Sequence, residues 1–217
     1  MCGGGGKGEG KKKATAAAKK LPTTKAKTAT AKCPLTPKTY GKAITIEGDE
    51  EFRKKTIKAL DDIKKTKTGK AMLESIEKSG KKVTIKPTTG GNSETEADPS
   101  KAYFADEAKG KAGPGTDSTV YFNPDRDTIG TQKWEKRPPA VGLAHELVHS
   151  EQAVNGTTKK GQAANDAKKD PSDPKKTATT EVYELETAGI PPHDKYPYNE
   201  NKFRSEWDPK QPERKYY

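Results

Sequence analysis

Cysteine is nearly missing from these 217 residues: Cys2 and Cys33 are the only two, and both fall within the first 40 positions. A disulfide framework for the rest of the chain is therefore excluded, as are a thiolate nucleophile and a cysteine-based metal site there. The two thiols themselves are expected to be free and idle. Aromatic residues are scarce at 6% and hydrophobic residues at 29%, too few for every segment to bury apolar surface, so part of the chain is expected not to fold. No apolar run is long enough to cross a bilayer, and no apolar h-region follows Met1, so neither a membrane span nor a classical secretory signal peptide is expected. Arginine is absent from the first 40 residues, where ten Lys and one acidic residue, Glu9, give +9 of the chain's net +11. The remainder carries only +2, so the overall charge implies no basic nucleic-acid groove on the folded part.

Histidine is rare too. Two of the three histidines stand in one motif, His145-Glu146-Leu147-Val148-His149, which fits H-E-x-x-H. On a helix, residues i and i+4 lie one above the other, so both imidazoles can reach a single ion. Glu146 lies beside them, where a carboxylate can take a proton from a water on that ion. This is the zinc-peptidase pattern. The motif alone is moderately specific, and its flanks strengthen it. Pro138 and Pro139 suit a first helical turn. Val141, Leu143, Ala144, Leu147 and Val148 supply apolar surface for burial. Asn155-Gly156 is a C-terminal stop.

Residues 1–40 are rich in Gly, Lys, Ala and Thr and read as a disordered leader, with the folded domain at 41–217. Residues 43–46 read as a short strand. Phe52, Ile57, Leu60 and Ile63 recur at helical spacing and predict an amphipathic helix over 50–64. Met72, Leu73 and Ile76 mark a second helix closed by Gly80, and 83–85 a second strand. Residues 88–118 read as loop. Residues 119–123 form the most strand-like run, and Pro124 after it suggests an edge strand that can hold a substrate as an added strand. Trp134 reads as a packing anchor. The Lys-rich stretch 157–180 reads as a flexible insertion. Residues 181–189 read as a short helix with a Gly stop, and the Pro- and Tyr-rich remainder as a wrapping segment.

A catalytic zinc takes three protein ligands and leaves one position for water. Gln152 stands where H-E-x-x-H-x-x-G-x-x-H enzymes need Gly, which excludes that class. Residues 156–160 hold no Asp for a Gly-Thr-x-x-Asp pattern. Glu181 and Glu184, spaced i and i+3, can each bring a carboxylate to the metal. Glu186 points to the other side of that helix, and His193 is a competing ligand.

Several features beyond H-E-x-x-H give the chain a family likeness. They are Gly48-Asp49, Thr119-Val120-Tyr121, Leu143 to Ser150, Glu184 followed by Thr187-Ala188-Gly189, and Glu200-Asn201-Lys202-Phe203-Arg204. With these, the chain resembles the NleD-like effector family, zinc metallopeptidases delivered by bacterial secretion systems, over roughly residues 40–217. The resemblance implies an α+β, zincin-like metalloprotease domain with a small mixed sheet and an H-E-x-x-H active-site helix. It implies that His145 and His149 bind one Zn2+ per chain and that Glu146 is the general base. It favours Glu184 as the third ligand. It also implies a protein or peptide substrate, secretion without a classical signal peptide and delivery into a target cell. A monomer is expected, with no specific nucleic-acid partner. Glu200, Asn201 and Arg204 are expected to hold the C-terminal wrap by hydrogen bonds. Two alternatives stand beside this reading. One is an antibacterial toxin peptidase acting on bacterial protein or cell-wall peptide. The other is a non-enzymatic, zinc-containing binding protein that acts through its basic tail.

Overall fold

A computed structural model describes residues 36–217 apart from Pro171. The expected leader thus lies outside the described residues up to position 35. The folded part starts earlier than expected: β1 (Lys38–Tyr40) already pairs antiparallel with β2 (Ile44–Ile46). A three-residue strand of Lys, Thr and Tyr has no alternation to reveal it.

After β2 come α1 (Glu50–Lys65) and α2 (Lys67–Lys78). The Asp49 carboxylate caps α1 by accepting from the Phe52 N–H at 2.8 Å. Glu50 and Glu51 then sit in the first turn and Lys64 and Lys65 in the last, each matching the helix dipole. Thr66 ends α1 and caps α2, its hydroxyl accepting from the Gly69 N–H at 2.9 Å. The buried residues Phe52, Thr56, Ala59, Leu60 and Ile63 form one stripe down α1.

Next follow β3 (Val83–Pro87), β4 (Ser93–Glu96), a single turn α3 (Pro99–Ala102) and β5 (Ser118–Phe122). The five strands make one mixed sheet in the order β1-β2-β3-β5-β4. β2, β3 and β5 run parallel, while β1 and β4 are antiparallel edges. Alternate residues Ile44, Ile46, Val83, Ile85, Val120 and Phe122 are buried, and the residues between them are partly or fully exposed. One face of the sheet therefore carries the core, against Leu60, Ile63, Met72, Ile76, Leu143 and Leu147. Each such aliphatic side chain contributes about 1.5–3 kcal/mol on burial. The expected α+β architecture with a small mixed sheet is present.

Two expectations fail here. β5 is an interior strand, flanked by β3 and β4, and the edge is β4, within residues read as loop. Pro124 marks where β5 ends and says nothing about its neighbours. β4 went unseen because Ser-Glu-Thr-Glu has no apolar residue to alternate.

The motif helix is α4 (Pro139–Asn155). It is buried along nearly its whole length, from Ala140 to Val154. It packs on α1, α2, β4 and β5, and the Ser118 and Ser150 hydroxyls tie sheet to helix at 2.8 Å. Gly156 ends α4 in the left-handed conformation, φ +65°, where a side chain would be strained. The stretch expected as a loop, 157–180, instead contributes an antiparallel hairpin, β6 (Gln162–Asp170) and β7 (Asp173–Glu181). Its strands carry no hydrophobic residue larger than alanine, so the sequence shows no period. α5 (Val182–Ala188) follows directly, and Gly189, φ +75°, turns the chain away from it. The C-terminal wrap contains α6 (Glu200–Glu206). Glu206 returns to α2, accepting from the Thr68 N–H at 2.7 Å and the Thr68 hydroxyl at 2.8 Å. α2 has no acidic residue in its own first turn, so this long-range carboxylate takes that place. Trp134 is buried, and its ring meets Tyr216 edge-on at 5.2 Å. No helix among the described residues is long and apolar enough to cross a membrane.

Candidate metal centre

α4 sets the two histidines one turn apart on one face, with ring centroids 5.0 Å apart. Each ring turns Nε2 inward and Nδ1 outward. The two Nε2 atoms are 3.3 Å apart. α5 brings up the third group: Glu184 Oε2 lies 3.0 Å from His149 Nε2 and 3.6 Å from His145 Nε2. A tetrahedral ion with ligand bonds of ~2.1 Å has ligand–ligand separations of roughly 3.4 Å. The three atoms therefore stand about where such an ion needs them. Among the described residues, His145, His149 and Glu184 are the group of three His, Cys, Asp or Glu side chains close enough to hold an ion. Glu184 Oε2 is buried and receives no aligned hydrogen bond, so it is an acceptor that a cation would satisfy.

The site's electrostatics favour positive charge at that point. Burial works against a charged His145, but the carboxylates of Glu184 and Glu200 outweigh it and raise its pKa to about 9. Burial likewise opposes ionisation of Glu184, yet the two histidines hold its carboxyl far below the usual range.

The outward nitrogens have partners of their own. His149 Nδ1 is 3.3 Å from the Thr187 hydroxyl, one turn along α5 from Glu184. His145 Nδ1 is 2.9 Å from Glu200 Oε2. That approach is too bent for an ideal hydrogen bond, but the distance between two buried groups still makes a strong polar contact. A partner on Nδ1 fixes the ring and leaves the Nε2 lone pair for a metal. Glu200 also meets Arg204 Nε at 2.7 Å and Arg214 Nη1 at 2.9 Å. It holds the C-terminal wrap, as expected, and orients a candidate ligand as well. Asn201 and Arg204 serve the wrap: Asn201 accepts from the Arg214 N–H at 2.7 Å, and Arg204 Nη1 donates to the Pro212 carbonyl at 2.8 Å.

Glu146, His149 and Glu184 line a cleft of about 190 Å³, shared with Tyr183, Tyr217 and the β4 residues Glu94 and Glu96. Tyr217 stacks on His145 with ring centroids 5.8 Å apart, and Tyr183 meets His149 edge-on at 5.5 Å. Burial, then the Glu184 charge, pushes the Tyr183 hydroxyl up to about 12. Burial and Glu184 push the Tyr217 hydroxyl up as well. Both phenols are therefore protonated donors at neutral pH. Of the other ligand candidates, Glu181 precedes α5 and accepts from Gln162 Nε2 at 3.0 Å. Glu186 pairs with Lys159 at 2.6 Å. His193 is half-buried beyond Gly189. None of these three belongs to the ligand cluster. Tyr183 and Tyr217 carry no local signal as site residues, and Thr187 belongs to a family motif whose contact with His149 only the fold shows.

The model of the Peptidase_M91 family, described as effector protein, matches residues 40–217. The chain belongs to this family. Membership in a peptidase family of effector proteins agrees with the likeness carried by its motifs. No curated protein matches the sequence. Among solved structures, the light chain of Clostridium botulinum neurotoxin serotype F aligns over 64% of this chain and 44% of its own, at 17% identity and a TM-score of 0.45. This chain thus spans less than half the length of that structure, and the overlap is too loose to transfer the role of any residue.

Proposed function

We propose that this chain is a zinc-dependent endopeptidase holding one Zn2+ through His145, His149 and Glu184. On this reading it is a secreted effector that cleaves a protein inside a target cell as a monomer. The observation that carries the reading is the triangle of inward-facing donor atoms at 3.0, 3.3 and 3.6 Å. When bound there, zinc supplies Lewis-acid chemistry and brings the pKa of a water near 7. Glu146 takes the proton at its carboxylate and returns it to the leaving amine. Glu200 and Thr187 keep the two imidazoles in the ligand tautomer and orientation. Tyr217 and Tyr183 present phenolic O–H groups to the cleft, where negative charge builds on the substrate carbonyl oxygen.

The test is Glu146→Gln. Peptide cleavage is expected to fall by about 10²–10⁴-fold, with zinc content unchanged. A variant that kept the parent rate would remove Glu146 from the mechanism.

A further inference from the structure

Four glutamates line the cleft, and the proposed chemistry uses only two, Glu146 and Glu184. Glu94 and Glu96 are two residues apart on β4, so both leave the same face of the strand. β4 is an open edge of the sheet, and its cleft face lies beside any peptide that runs along that edge. Glu94 Oε1 is buried with no hydrogen-bond partner among the described residues. Burial, then the charge of Glu96, pushes the Glu94 carboxyl up to about 8. The same cleft is lined by Gln152, one turn beyond His149 on α4. Gln152 is wholly buried, yet neither its amide oxygen nor its amide nitrogen has a partner among the described residues. A buried amide and a buried carboxylate left unmatched are costly, and such groups in a cleft point to a ligand that matches them.

We infer that Glu94, Glu96 and Gln152 form a substrate subsite for a cationic side chain, so that the protein cuts beside a Lys or Arg. The inference rests on the metallopeptidase reading of the same cleft. An ammonium or guanidinium group offers several N–H donors and accepts none. A cation beside Glu94 favours its ionised form, so such a group can meet both carboxylates and the Gln152 Oε1 together, by charge-assisted bonds. Acidic side chains are repelled by the two glutamates, so the wall also selects against the wrong substrate. A second metal ion fits less well, because Glu94 and Glu96 belong to no group of three ligand atoms among the described residues.

The test uses the full chain loaded with zinc and a peptide library cut from a proteome at Glu, which leaves Lys and Arg inside the peptides. Mass spectrometry reads the new termini. Lys and Arg together are expected to be enriched several-fold at one position within two residues of the cut bond. The double variant Glu94→Gln, Glu96→Gln is expected to cut the library with that enrichment gone. Gln152→Glu, which keeps the side chain's shape and adds an acid, is expected to sharpen it. Cleavage without basic enrichment, or enrichment unchanged in the double variant, overturns the subsite and leaves the peptidase reading standing. A second zinc per chain that disappears in the double variant also overturns it. A zinc-loaded parent that cuts nothing in the library overturns the peptidase reading, and the subsite with it.

Discussion

The two sides of the candidate metal site are held in different ways. His145 and His149 belong to a seventeen-residue helix sunk in the apolar core, where Leu143, Leu147 and Val148 are fully buried. Glu184, Thr187 and Glu200 come from two seven-residue helices, each too short to persist on its own. Of these, α6 is fixed by Glu200 with Arg204, Arg214 and His145 and by Phe203 in the core, and α5 by Leu185 and Ala188 packed with Ile190. The helix side is positioned by local geometry and packing, and the wrap side by a buried ionic clamp. Damage to the clamp should therefore cost much stability as well as metal, whereas small changes on α5 should cost metal and little stability.

Glu200→Ala tests this contrast most severely. It leaves Arg204 and Arg214 buried without their carboxylate and frees the His145 ring. We expect a loss of about 3–5 kcal/mol in denaturant unfolding and zinc affinity lower by about 10–100-fold. A variant as stable as the parent would show that the wrap is held some other way. Thr187→Val keeps the shape of the side chain and removes the oxygen beside His149 Nδ1. Its expected cost is about 1 kcal/mol of stability and about 10-fold in zinc affinity, with an unchanged circular dichroism spectrum. Equal zinc titrations of variant and parent would remove Thr187 from the site.

A separate effect concerns the pH dependence set by Glu94. Its folded pKa, about 8, lies above the ordinary 4.5, so between those values the folded state holds a proton that the unfolded state has lost. Stability from this group must then fall as pH rises from about 4.5 to 8, and level off above that. Glu94→Gln should remove that part of the slope in unfolding measured at a series of pH values. An unchanged slope would mean that Glu94 titrates normally.

The same contrast explains what the sequence made legible. The i, i+4 pair on α4 follows from helix geometry, so His145, Glu146 and His149 could be named together with their helix. The third position stayed open on the residues alone, because Glu181 and Glu184 have the same chemistry and lie on one predicted helix. In the fold, Glu181 precedes α5 and faces Gln162, while Glu184 turns to the histidines. Glu200 was recognisable as part of the wrap. Its contact with His145 was not, since no local pattern links α6 to α4. β4 and the β6–β7 hairpin escaped notice for one shared reason: their strands carry too few apolar residues to set a period. The substrate edge was consequently assigned to β5, one strand too far inside the sheet.

The central claim is that His145, His149 and Glu184 hold one zinc ion. Metal content of the purified full chain, read by mass spectrometry beside His149→Ala, Glu184→Ala and Glu181→Ala, tests it most directly. One zinc per chain is expected in the parent and in Glu181→Ala, and none in the other two. A folded parent that holds no zinc after zinc is supplied, or a Glu184→Ala variant that still holds one, would contradict it.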